Sequence, residues 1–164
     1  MATIRRVGGG RLRVRLGAQE VALLRGLPEQ LRDVLAGGDD DPVNARLFPA
    51  AYLDPGDAER DAEYRRLMHD ELVREKLANL EVVAETLAKG AMSVRRWTVE
   101  LTEEEALAWL GALNDLRLAL GVRLEITEDF DLQAVDEADP RASGMHLLGY
   151  LGWLEEHLLE ALAG

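Results

Sequence analysis

The 164-residue chain contains no cysteine, only two serines, and three histidines. The first absence removes a disulfide framework, a thiolate zinc site, an iron–sulfur cluster and a cysteine nucleophile together. It fits a reducing, cytoplasmic setting. The two serines, Ser93 and Ser143, leave little for a nucleophilic triad, and Ala142-Ser143-Gly144 lacks the Gly-x-Ser-x-Gly elbow. No apolar run approaches the roughly 18 residues of a membrane span, and Met1 to Arg6 has no apolar signal-peptide core. Positive charge is also scarce, 19 Lys+Arg against 31 Asp+Glu, for a net −12. Phosphate binding rests on basic side chains that release counterions, so this balance disfavours a general nucleic-acid binder.

What is present fits one domain. The length, 48% hydrophobic residues and 30% charged residues predict a single compact unit over 1–164 with a sizeable core. The charge is unevenly placed. Residues 1–36 carry seven arginines and three acids, whereas 37–164 carry 12 basic and 28 acidic side chains. The most acidic stretch, 125–140, holds Glu125, Glu128, Asp129, Asp131, Asp136, Glu137 and Asp139 with no Lys or Arg. It reads as part of an acidic loop over 125–143, either solvated, folded near the arginines of its own chain, or offered to a partner.

Arg11 to Leu16 alternates strictly, which places Leu12, Val14 and Leu16 on one face of a strand and three arginines on the other. Thr3 to Val7 is its expected partner, joined through Gly8-Gly9-Gly10, so 1–16 forms a hairpin. Ser93 to Leu101 offers a third strand, with Trp97, Val99 and Leu101 alternating against Arg96, Thr98 and Glu100. Helical periodicity predicts main helices over 18–36, 57–89, 103–121 and 144–162, with a short one from Asp41-Pro42 to Leu47. Pro28 is expected to kink or divide the first, and the long second helix to break or bend near its middle. Thr102 and Glu105 form a capping box at the start of the third. The last is apolar around most of its circumference, which predicts a central position or a homodimer contact. The fold class is α+β, mainly α, with four to five helices and a small N-terminal antiparallel ribbon of two or three strands.

No metal or cofactor set emerges. His69, Asp70 and Glu71 are neighbours that point around a helix, and His146 and His157 are three turns apart, about 16 Å. Gly8-Gly9-Gly10 opens no helix, and the acidic stretch lacks the EF-hand spacing. Two candidate sites remain. One is the arginine face of the hairpin, Arg11, Arg13 and Arg15, extended by Arg96 and by Arg5 or Arg6. It suits a carboxylate-rich peptide, a phosphate backbone, or the protein's own acids, and it lacks aromatics to stack bases. The other is a polar cluster: Asn114, Asp115 and Arg117 interrupt a leucine-rich helix, with Lys76 and Asn79 as expected partners from the long helix. This cluster is either an interhelical brace or a ligand pocket.

The residues Lys76-Leu77-Ala78-Asn79, Trp109, the run from Leu113-Asn114-Asp115-Leu116-Arg117 to Leu124, and Ile126-Thr127-Glu128 carry a resemblance. In them the chain resembles an uncharacterised actinobacterial domain-of-unknown-function family, over nearly its whole length. Pro28 and the 127–145 connection depart from the usual pattern. The family has no established activity. The resemblance implies a link to regulated proteolysis, because the family's genes commonly lie beside that of the Clp protease adaptor, and some members are labelled transcriptional regulators. The expected function is therefore a non-enzymatic cytoplasmic interaction or adaptor-like protein, whose implied partners are Clp adaptor or protease components. The alternatives are a nucleic-acid-associated regulator using the arginine hairpin, and an enzyme of unrecognised type with a pocket around Asn114 to Arg117.

Overall fold

The computed structural model describes residues 2–37, 41–48, 58–127 and 135–164. Within them the chain is an α+β protein, mainly helical, whose elements follow one another as β1 (Thr3–Val7), β2 (Arg11–Gly17), α1 (Ala18–Ala36), α2 (Pro42–Leu47), α3 (Ala58–Lys89), β3 (Ala91–Ser93), β4 (Arg96–Leu101), α4 (Glu103–Arg123) and α5 (Ala142–Ala163).

The four strands form one antiparallel sheet in the order β1-β2-β4-β3. Leu12, Val14 and Leu16 of β2 stand opposite Leu101, Val99 and Trp97 of β4, and all six are buried beneath the helices. The alternation in 11–16 therefore reports its buried face correctly. Gly8–Gly10 makes a single 3-10 turn in which Gly9 and Gly10 take φ of +77° and +71°, values that side-chain-bearing residues resist.

Two or three strands are too few. Ser93 to Leu101 is not one strand: Val94 and Arg95, at φ +44° and +66°, reverse the chain in a two-residue turn between β3 and β4, with Ser93 opposite Arg96. Such a turn normally advertises itself by Asn-Gly or Asp-Gly. A β-branched Val94 at positive φ is strained, and it is 93% exposed.

Neither of two expected helix breaks occurs. Helix α1 is not divided at Pro28, because the proline ring lies on the buried stripe of Val21, Leu24, Leu31 and Leu35. Burial of that stripe offsets the missing backbone donor. Helix α3 runs without interruption over 32 residues, about 48 Å. Its second half packs between α1 and α4 through Leu80, Val83 and Leu87, whereas Tyr64, Leu67, Met68 and Leu72 of the first half are exposed. Helix α4 extends two residues beyond Gly121, to Arg123, and α5 begins at Ala142 rather than 144.

The core joins sheet and helices. Trp109 of α4 is buried against α3, where its Nε1–H donates to Thr86 Oγ1 at 2.8 Å, and the Thr86 hydroxyl donates to the Val82 carbonyl at 2.8 Å. Removing that hydroxyl leaves a buried indole donor unpaired. Thr86→Val is expected to cost about 1–3 kcal/mol in urea unfolding, and an unchanged midpoint would show that the indole N–H finds another partner. The apolar circumference of α5 is taken up largely within the chain: Met145, Leu148, Leu151, Leu154 and Leu158 are buried, and Leu147, Tyr150 and Trp153 pack at the core's edge. Arg6 fastens its end, donating from Nε to the Ala161 carbonyl at 3.1 Å and from Nη2 to the Leu162 carbonyl at 2.9 Å, and bridging to Glu103 at 3.1 Å. A cation on the final carbonyls of a helix offsets their partial negative charge.

Candidate functional site: an arginine-lined sheet face

With Leu12, Val14 and Leu16 under the helices, the alternate residues of the sheet define the opposite face. The register sets Arg5 beside Arg13, and Arg15 between Thr3 and Thr98. Every side chain there is exposed or half-buried. Arg5, Arg13, Arg15 and Arg96, with Thr3 and Thr98 among the residues between them, line a concavity of about 530 Å³. Arg11 continues the row on β2. The register also resolves which N-terminal arginine belongs: Arg5 joins the face, and Arg6 points the other way, to α5.

Glu100 of β4 is a carboxylate paired with this row. It accepts from Arg13 Nη2 at 2.8 Å and Nε at 3.3 Å and lies 4.0 Å from Arg11 Nη1. The Arg13 hydrogen bond holds its carboxyl below the ordinary range, against a smaller effect of burial. Arg5 and Arg15 make no ion pair among the described residues. The face thus gathers five guanidinium groups in a chain whose net charge is −12. Two described acids of 125–140 turn elsewhere. Glu137 meets His146 at 2.8 Å and Asp139 meets Arg141 at 3.0 Å, while 128–134 lie outside the described residues.

The polar cluster separates into three. Lys76 Nζ donates to Asp115 Oδ1 at 2.8 Å across the α3–α4 interface, with side chains 18% and 5% exposed. The Phe48 ring, 5.7 Å from the ammonium, covers it further. Burial outweighs the Lys76 charge and holds the Asp115 carboxyl above its ordinary range. Asn79 lies over Gly111 of α4, where even a methyl group would approach its amide to 2.6 Å. Arg117 faces away from both and binds Glu155 of α5 at 2.7 Å. Asn114 is exposed, and with Arg117 and Arg46 it borders a separate cleft of about 490 Å³ floored by Leu118, Val122 and Leu148. Lys76–Asp115 and Arg117–Glu155 thus each bridge two helices, while Asn114 borders the cleft.

No group of three or more His, Cys, Asp or Glu among the described residues is arranged to hold a metal ion, and no described helix is long and apolar enough to cross a membrane. The residues missed by sequence reasoning are the hydroxyl-bearing Thr3, Ser93 and Thr98, which reach the arginine face through strand pairing.

Residues 1–162 match a family described as a domain of unknown function, DUF2017. Among curated proteins the chain is similar to a putative oxidative stress regulator AosR of Mycobacterium leprae, 34% identical over 134 residues, which is 75% of this chain and 59% of that protein. It is also similar to the oxidative stress regulators AosR of Mycobacterium tuberculosis and Mycobacterium bovis. Each is 29% identical over 190 aligned positions, covering 95% of this chain and 84% of the relative. The chain thus spans less than two thirds of the Mycobacterium leprae protein. No solved structure matches it.

Proposed function

The chain belongs to the DUF2017 family, and from that premise we propose that it is a non-enzymatic regulatory protein that acts by binding an acidic protein partner on the arginine face of its sheet. The observation that carries this reading is a pair of guanidinium groups, Arg5 and Arg15, that make no ion pair among the described residues and lie in a concavity with Arg13 and Arg96 on a sheet face that no described helix covers. A row of like charges that serves only solubility has no reason to be all arginine. Arginine's planar fork grips carboxylates by two parallel hydrogen bonds, and the rest of the chain supplies both lysine and arginine.

The regulator names of the mycobacterial relatives support the class of function. Those names speak of oxidative stress, and thiol chemistry has no group here, since the 164 residues include no cysteine. Any thiol-based oxidant response that passes through this chain therefore starts on a group outside these 164 residues. The family resemblance supplies the first partner to test, the Clp protease adaptor or a protease component. Against the enzyme reading stands the pairing of Lys76 with Asp115 between helices, which keeps both apart from the cleft beside Asn114 and Arg117.

Biolayer interferometry of the purified chain against the purified Clp adaptor tests both levels. Binding that weakens steeply with salt and falls at least tenfold in Arg5→Glu/Arg15→Glu is the expected result. Binding indifferent to the double reversal would remove the arginine face. No binding would remove this partner. A low-salt DNA mobility shift lost in Arg11→Ala/Arg13→Ala/Arg15→Ala would replace the reading with the nucleic-acid one.

A further inference from the structure

The arginine face has a pitch as well as a charge. Arg11, Arg13 and Arg15 occupy every second residue of β2, so their side chains leave the sheet about 6.8 Å apart. An extended peptide presents its own alternate side chains at that same interval. We propose that this face takes an extended segment carrying acidic side chains at alternate positions, laid along β2 with its carboxylates in step with the guanidinium row. The inference rests on the acidic-partner reading above.

Three features favour an extended segment over a helical one. First, an extended segment off a sheet edge brings unsatisfied backbone N–H and C=O groups, whereas a helix has already paired most of its own. The hydroxyls of Thr3, Ser93 and Thr98 lie among the arginines of the concavity. A hydroxyl both donates and accepts, so it can meet either kind of backbone group, and a guanidinium can donate to carbonyls. Second, Arg5 on β1 stands directly across from Arg13, which sets one guanidinium beside the row on β2. A segment laid between the two strands is met from both sides at that point. Third, the β3–β4 turn beside Ser93 and Arg96 holds Val94 at positive φ and almost wholly exposed, so its side chain adds little to the core. Backbone strain of this kind persists where it positions a surface. The turn fixes the outer edge of the concavity.

The chemistry also bears on other polyanions. Among the described residues that line the face, none is aromatic, so none offers a ring on which a base can stack. Regularly spaced phosphates on a duplex would meet a chain of net charge −12, which opposes close approach everywhere except at this face.

The test uses the full chain and fluorescence anisotropy with three labelled peptides. One is an alternating octapeptide of four Glu-Ser repeats. The second has the identical composition in blocks, four glutamates followed by four serines. The third is a helix-forming alanine-based peptide with four Glu at i, i+4 spacing. A 20-base-pair duplex serves as competitor. The expected result is that the alternating peptide binds at least tenfold more tightly than the other two. That preference should disappear in Arg5→Ser/Arg15→Ser and in the milder Arg96→Gln, and persist in Arg32→Ser on α1. Circular dichroism of each variant establishes that the sheet is intact. Equal affinity for the alternating and block peptides would overturn the inference while leaving the acidic-partner reading in place, and a preference for the helical peptide would do the same. Failure of every acidic peptide to bind, or tighter binding of the duplex, would overturn both.

Discussion

Gly90→Val is expected to destabilise the protein by more than about 3 kcal/mol, seen as a large drop in the urea midpoint followed by tryptophan fluorescence. Gly90 is the single residue between the end of α3 and the start of β3, and the Trp97 ring lies against its backbone. A Cβ placed there would stand 2.1 Å from Trp97 Cε2 and Cζ2 and 2.4 Å from Nε1. The ring has nowhere to retreat. It is 1% exposed, opposite Leu16 and next to Met92 in the sheet, and belongs to the core cluster. Its buried Nε1 has no hydrogen-bond partner among the described residues, so packing alone positions the ring. Gly90 does not occupy a positive-φ region, so the cost is steric rather than conformational, and Gly90→Ala meets the same clash. Gly8→Ala, with open space around it and an ordinary φ, serves as the control and is expected to change stability by less than about 0.5 kcal/mol. A wild-type midpoint for Gly90→Val would mean that Trp97 does not rest on this backbone. Because Ser93 and Arg96 ride on the β3–β4 hairpin, the same substitution should also weaken binding at the arginine face.

The arginine face and the helix boundaries were legible in the sequence to different depths. Alternation in Arg11 to Leu16 has the two-residue period of a strand with one face covered, so it named the buried and exposed faces of β2 directly. The Thr102 and Glu105 capping box likewise marked a real helix start, since both of its hydrogen bonds form. Register was hidden. Whether Arg5 or Arg6 joins the row depends on the pairing of Thr3 with Arg15, which nothing local dictates. The β3–β4 turn was hidden for a different reason: Val94 and Arg95 are poor residues for positive φ, and β3 is too short for an alternating pattern. Pro28 misled because local chemistry predicts a break, whereas its ring lies on a buried stripe. The polar block at 113–117 was legible as unusual, and Lys76 does meet Asp115 of that block, but the divergence of Arg117 toward Glu155 required knowing that α4 is flanked on two sides.

Titrating groups pull stability in opposite directions. Asp41, held low by the Val43 N–H and then Arg123, and Glu100 and Asp139, each held low by a neighbouring arginine, favour the folded state at neutral pH. Their contribution is lost as pH falls through their depressed folded values. Asp115 has the opposite sign. Its folded value lies above its unfolded one, so its contribution is fully present below the unfolded value and is lost as pH rises through the folded value. At neutral pH the brace between α3 and α4 thus contains a carboxylate whose burial disfavours its charge, opposed by one ammonium.

That balance makes Lys76→Ala the second large effect, about 3 kcal/mol at neutral pH. The substitution leaves the 5% exposed Asp115 carboxylate without its 2.8 Å partner and opens a gap beside Phe48. The expected loss sits at the low end for a broken buried pair because Asp115 can take up a proton. The penalty should therefore shrink as pH falls from 7 toward 4, where a protonated carboxyl needs no counter-charge. A simple loss of side-chain packing would give a penalty independent of pH, which separates the two causes in one titration series. Replacing both partners by apolar groups, Lys76→Met/Asp115→Leu, removes the desolvation cost of two charges and is expected to bring stability back to within about 1 kcal/mol of the original or above it. If the double variant is as unstable as Lys76→Ala alone, the pair is contributing attraction beyond the cost of burying it, and the elevated Asp115 carboxyl is assigned with the wrong sign.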